Sequence, residues 1–206
     1  MLRLHINLEH PQARHVARSV SILRSGGLGV FPTDTTYGLG CDIYSKRSIS
    51  RIYQLKGMDR KHPLSFLCSD LSEVARYAIV EDDNYRILRK MTPGKYTFIL
   101  PASREVPRIV QSKARTVGIR IPDSPVCLEL IRQLGHPMIS TTVGKSEDGE
   151  TSYSNDPDEI SKMFGHSVEL LLDGDILYEQ PSSVVDLTGD EPKIVRKGAG
   201  DVSWLE

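Results

Sequence analysis

The period of the apolar positions changes repeatedly along the chain, and each change predicts an element. Residues 2–7 alternate, with Leu2, Leu4 and Ile6 apolar around Arg3 and His5, as in a half-buried strand. Pro11 then opens a helix on which Val16, Val20 and Leu23 recur at helical spacing, and Gly26-Gly27 stops it. Leu28 to Phe31 is a short apolar strand ended by Pro32. Ser45 caps a helix that turns Ile49, Ile52 and Tyr53 inward. Pro63 to Leu67 reads as a buried strand, followed by a short helix from Asp70 and another from Asp82 to Lys90. After the turn Thr92-Pro93-Gly94, residues 96–100 and 116–121 are strands. Ser124-Pro125 is an N-cap and N1 pair for a helix to Leu134, closed by Gly135. Pro137 to Thr141 is a strand entering a polar loop, Thr142 to Asn155, and Asp156-Pro157 starts the last helix. Residues 168–172, 183–187 and 193–196 complete the strands.

Strands and helices alternate through the first two thirds and strands cluster at the end. That pattern predicts an α/β fold with a mixed parallel and antiparallel sheet and helices packed on it. The length of 206 residues suits one domain, expected over 1–206, and neither repeats nor low-complexity tracts interrupt it. Ligand-binding residues in such folds sit in loops at the carboxyl ends of strands. Here the loops of interest are Pro32–Asp42, Lys56–Pro63, Ser140–Asn155 and Gln180–Ser183.

Composition narrows the class without naming a chemistry. Apolar residues make up 39% and charged residues 26%, enough for a core without metal or disulfide staples. Cys41, Cys68 and Cys127 follow no ligand spacing, which predicts reduced thiols. The amino-terminal stretch lacks the continuous apolar run of a signal peptide, and no run approaches membrane-spanning length, so a cytoplasmic location with no membrane partner is expected. The net charge of −1 hides a polarised chain: residues 1–120 hold 20 Lys and Arg against 10 Asp and Glu, and residues 121–206 hold 6 against 17. Such a chain presents a basic face to phosphates if the fold keeps its halves apart.

Three segments carry candidate chemistry. Phe31 to Gly40 places Thr33, Thr35, Thr36 and Asp34 after a buried strand, either as a ligand cradle or as a turn whose side chains bond its own backbone. Lys56 to Pro63 gathers Lys56, Arg60, Lys61 and His62, suited to phosphate or, equally, to a helix carboxyl end. Arg120 stands among apolar residues in Thr116–Pro122, where its planar fork grips either a substrate carboxylate or a structural Asp. A P-loop, a completed G-x-G-x-x-G, an H-E-x-x-H and a G-x-S-x-G are all absent, and no metal site is expected.

Taken in order, Phe31-Pro32-Thr33-Asp34-Thr35-Thr36-Tyr37-Gly38-Leu39-Gly40, Pro93-Gly94-Lys95-Tyr96-Thr97-Phe98-Ile99-Leu100, Val117–Pro122, Ser182–Leu187 and Ile194–Gly198 resemble the motifs of the YrdC-like family over nearly the whole chain, most of all its YciO subgroup. The family includes L-threonylcarbamoyladenylate synthases. The resemblance implies a twisted open mixed sheet with a concave basic face. It also implies a reaction of L-threonine, bicarbonate and ATP, with magnesium on the triphosphate, that feeds modification of tRNA adenosine. By similarity, Thr35, Arg120, Ser140 and Ser182 hold threonine, while Lys56, Thr116, Thr142 and Arg196 hold ATP, Lys56 acting in catalysis. The chain departs from the pattern at Met58 and Gly144, where the family carries arginine and asparagine, and at Leu67, where it carries histidine. A non-catalytic protein binding double-stranded RNA, tRNA or the ribosome through the same face is the alternative.

Overall fold

The computed structural model describes residues 1–59, 64–147 and 150–205. Strands β1 (Leu2–His5), β2 (Gly29–Pro32), β3 (Tyr37–Asp42), β4 (Ser65–Leu67), β5 (Tyr96–Pro101), β6 (Thr116–Arg120) and β7 (Met138–Thr142) fall in the first two thirds. A hairpin of β8 (Gly144–Glu147) and β9 (Glu150–Tyr153) follows, then β10 (Leu170–Asp173), β11 (Ser183–Asp186) and β12 (Lys193–Arg196). Ten of these strands form one open mixed sheet in the order β1-β10-β2-β3-β7-β4-β6-β5-β11-β12. Pairs β1/β10, β10/β2, β4/β6 and β5/β11 are parallel, and the remaining pairs antiparallel. The expected α/β architecture is therefore the one observed.

The helices form where caps and spacing direct them. They are α1 (Ala13–Arg24), α2 (Lys46–Lys56), α3 (Leu71–Tyr77), α4 (Asp82–Met91), α5 (Pro125–Leu134) and α6 (Pro157–Phe164). Ser45, Asp70, Ser124 and Asp156 each accept a backbone N–H of the first turn, satisfying a donor the helix itself leaves open.

Alternation along the strands sorts residues between two cores. Leu39, Cys41, Phe66, Phe98, Ile119 and Ile139 face α2, α3, α4 and α6. Phe31, Leu67, Met138, Leu170 and Leu172 face the opposite way, onto Val16, Val20 and Leu23 of α1 and Leu130 and Ile131 of α5. Each such side chain contributes about 1.5–3 kcal/mol on burial. The first face is clad by four helices. On the second, α1 and α5 pack at the β1-β10-β2 end, and the rest of the sheet lines a hollow.

Two expectations are corrected. Residues 37–42, expected within a loop, form buried strand β3, paired with β2 and β7. Its alternate glycines weaken the strand signal, yet they are there because the Phe31 ring lies over them: a Cβ on Gly40 would meet that ring at 3.0 Å. The polar stretch 142–155, also expected as a loop, folds as the β8/β9 hairpin, a separate two-stranded sheet with no apolar alternation to announce it. Arg60, Lys61, His62 and Pro63, and with them the start of the strand expected from Pro63, lie outside the described residues. No helix among the described residues is long and apolar enough to cross a membrane.

Candidate functional site

The floor of the hollow is built in rows across the sheet. Register sets Met138, Leu67 and Arg120 in one row, and Gly40, Ser140, Ser65, Gly118 and Ile99 in the next. Gly38 and Thr142 begin a third. Because successive strand residues alternate faces, the side chains between these positions belong to the helix-clad core. The result is a cavity of about 320 Å³ whose lining is mostly hydroxyl and small side chains, with Arg120 and Arg196 as its cations.

Arg120 is held from behind. Its Nη2 donates to Asp34 Oδ1 at 2.6 Å and to Thr35 Oγ1 at 2.9 Å. The ion pair is buried, with side-chain exposures of 9% for Arg120 and 7% for Asp34. Asp34 Oδ2 and Arg120 Nε find no hydrogen-bond partner. The self-bonded turn expected of the Phe31–Gly40 segment is observed. The turn bonds itself, Thr33 Oγ1 accepting from Thr35 N at 3.0 Å and donating to Thr36 O at 2.7 Å. It also supplies the carboxylate that fixes Arg120.

Arg196 stands at the far side. Its Nε and Nη2 donate to Ser182 O at 3.1 and 2.6 Å, so backbone rather than an acid anchors it. Arg196 also borders a second cavity of about 300 Å³ between Tyr153, Glu179, Gln180, Pro181, Lys197 and Gly198. One guanidinium therefore joins two hollows.

Of the residues singled out from sequence, Arg120, Ser140, Ser182, Thr116, Thr142 and Arg196 all line the hollow. Thr35 does not; it is 1% exposed and acts through Arg120. Lys56 is likewise not a lining residue. Its ammonium donates to Thr142 O at 3.0 Å and to Gly144 O, tying the end of α2 to the base of the hairpin. Burial holds its pKa below the ordinary lysine value. The contacts of Lys56 seen here are thus to backbone carbonyls at the base of the hairpin. Among the described residues two arginines line the hollow, one of them matched by Asp34.

Sequence reasoning missed Ser65 and Thr97 as members of the site. The signal was present: each breaks an otherwise apolar strand at the alternate position, where a polar side chain faces away from the helix-clad core. Elsewhere, His5, Asp173 and Asp175 bring potential ligand atoms within 4.8 Å of one another. Arg3 already occupies Asp173 Oδ2, at 2.7 Å from Nη2, and so opposes a cation there.

Residues 21–198 match the Sua5/YciO/YrdC family model, whose description is telomere recombination. The chain belongs to that family. The family's YciO protein of Escherichia coli K12 is 39% identical over 96% of each chain, and is itself uncharacterised. Its crystal structure superposes with a TM-score of 0.94, covering 100% of this chain and 99% of that one. A protein of Nitrosococcus oceani named threonylcarbamoyl-AMP synthase is 30% identical, covering 77% of this chain and 85% of its own. The fold also matches Sua5 of Pyrococcus abyssi, solved in complex with L-threonine, with a TM-score of 0.85 at 24% identity; this chain covers 58% of that one.

Proposed function

We propose that this family member joins L-threonine, bicarbonate and ATP into threonylcarbamoyl-AMP, releasing pyrophosphate, for modification of tRNA adenosine. The observation that carries the reading is the sharing of Arg196 by two cavities. The hydroxyl-lined one contains a pre-fixed Arg120, suited to a carboxylate through its planar fork. A volume of about 320 Å³ fits a single small molecule. The synthase name of the N. oceani relative and the threonine bound by P. abyssi Sua5 agree with it.

In this reading the threonine amine attacks the bicarbonate carbon and water leaves, giving a carbamate. A carbamate oxygen then attacks the α-phosphorus of ATP, and the bond from that phosphorus to the bridging oxygen breaks as pyrophosphate departs. Arg120 holds the carboxylate, and Arg196, at the joint of the cavities, meets the charge developing on the phosphate. The lining supplies hydroxyls rather than carboxylates, so magnesium would arrive on the triphosphate, held by its oxygens and water. Lys56 keeps the hairpin base in place beside Thr142. Binding of duplex RNA or tRNA needs cations at many phosphates; the hydroxyl-rich lining of the hollow favours the small-molecule reading.

Radiolabelled bicarbonate tests the proposal. Label should enter an adenylate only when threonine and ATP are both present, and Arg120→Met or Arg196→Met should abolish it. No adenylate above background, together with no rise in melting temperature on adding ATP, would end the proposal.

A further inference from the structure

We propose that Ser65 is a specificity-determining residue of the hollow, the one that reads the side-chain hydroxyl of the bound amino acid. This rests on the reading of the hollow as a threonine site, and it assigns a residue that family motifs leave out.

The hydroxyls of the hollow divide into committed and uncommitted ones. Thr97 Oγ1 and Ser182 Oγ lie 2.9 Å apart and satisfy each other. Thr116 Oγ1 pairs with Ser112 Oγ at 2.9 Å. Thr33 is spent on its own turn. Ser65 Oγ, like the hydroxyls of Thr36, Ser140, Thr141 and Thr142, makes no hydrogen bond to any described residue, and it borders the cavity at the middle of the floor. A hydroxyl there keeps both its donor and its acceptor capacity for what enters.

Its neighbours are arranged to leave it uncovered. Ser65 pairs in register with Gly118 on one side and Ser140 on the other. A Cβ built on Gly118 would come within 3.2 Å of Ser65 Oγ, so the serine hydroxyl projects over the space that glycine leaves vacant. Arg120, two residues beyond Gly118 on the same face, presents a planar guanidinium fork that serves anions. Ser65 is neutral and amphoteric, the chemistry that suits an alcohol, as is Ser140 beside it; of the two, Ser65 stands on the strand paired directly with that of Arg120. Leu67, paired in register with Arg120, supplies the apolar neighbour a methyl group requires.

Calorimetry with threonine and with valine, which replaces the hydroxyl by a methyl group, reads the assignment on the full chain. The unmodified chain should bind threonine more tightly than valine. Ser65→Ala should weaken threonine roughly 3- to 10-fold, the net worth of one neutral hydrogen bond, and leave valine within about twofold. Gly118→Ala, which crowds the same oxygen, should narrow the gap between the two ligands in the same direction. An equal loss for both ligands would mean that Ser65 contacts the amino-acid backbone, and no loss that it contacts nothing; either overturns the assignment. If the unmodified chain binds neither ligand, the threonine reading of the hollow falls and takes this inference with it.

Discussion

Replacing Asp34 by alanine removes the one acid that pairs with Arg120 among the described residues and leaves the guanidinium buried beside the hollow. Removing one partner of a buried ion pair costs about 3–5 kcal/mol, because the stranded charge has left water without compensation. The lower end applies here for two reasons. Thr35 Oγ1 still accepts from Nη2 at 2.9 Å, and the side of Arg120 that borders the cavity is reached by water. Asp34 Oδ2 and Arg120 Nε are already unpartnered, which makes the native pair weaker than a two-point fork. The expected cost is therefore about 3 kcal/mol. For a chain of this length that lowers the melting temperature by roughly 6–12 °C. Arg120→Met strands the carboxylate instead and should cost a similar amount. Combining Asp34→Ala with Arg120→Met removes both charges, so the double variant should be more stable than the sum of the single losses implies, by about 2 kcal/mol or more. Urea unfolding of the four proteins, extrapolated linearly to water, measures that coupling. Additive losses, or an Asp34→Ala melting temperature within 2 °C of the parent by the same scale, would refute the view that Asp34 fixes Arg120 by charge.

Gly40→Ala should cost at least about 1–3 kcal/mol, seen as poor solubility or a lowered melting temperature, because its Cβ would lie 2.3 Å from the Ile139 carbonyl oxygen as well as against Phe31. Lys56→Met should free the hairpin base: hydrogen exchange at Val143 and Ser154, whose amides bond Tyr37 O and Val143 O, should quicken while the sheet interior keeps its protection. The depressed Lys56 pKa also fixes a sign. The native state disfavours the ammonium, so the parent should gain stability relative to Lys56→Met as pH rises from the depressed value towards the ordinary lysine value of about 10.4. The opposite trend in pH-dependent unfolding contradicts the burial argument. Burial raises all three thiols, that of Cys127 to about 12, so a disulfide thiol reagent at mildly alkaline pH should leave the native protein unmodified and label three cysteines on unfolding.

The sequence by itself determined the elements that rest on local rules. Helical spacing and capping located α2, α3, α5 and α6 with their serine and aspartate caps, alternation located β1, and short apolar runs located β5, β6 and β10. The family resemblance also named six residues that meet in the hollow: Thr116, Arg120, Ser140, Thr142, Ser182 and Arg196. Strand β3 stayed hidden because its glycines weaken the local strand preference, and the packing that requires them, against Phe31, comes from a neighbouring strand. The hairpin stayed hidden because its sequence has no apolar alternation and it pairs with itself, as a separate two-stranded sheet. Only the tertiary structure decided which side chains share a partner. It gave Arg120 to Asp34 and Thr35, 86 and 85 residues away in the chain, and Lys56 to the carbonyls of Thr142 and Gly144. It also placed Ser65 beside Gly118 across a parallel pairing. Strand order and register are set by the burial of the whole sheet between two unequal sets of helices, and no window of neighbouring residues contains that information.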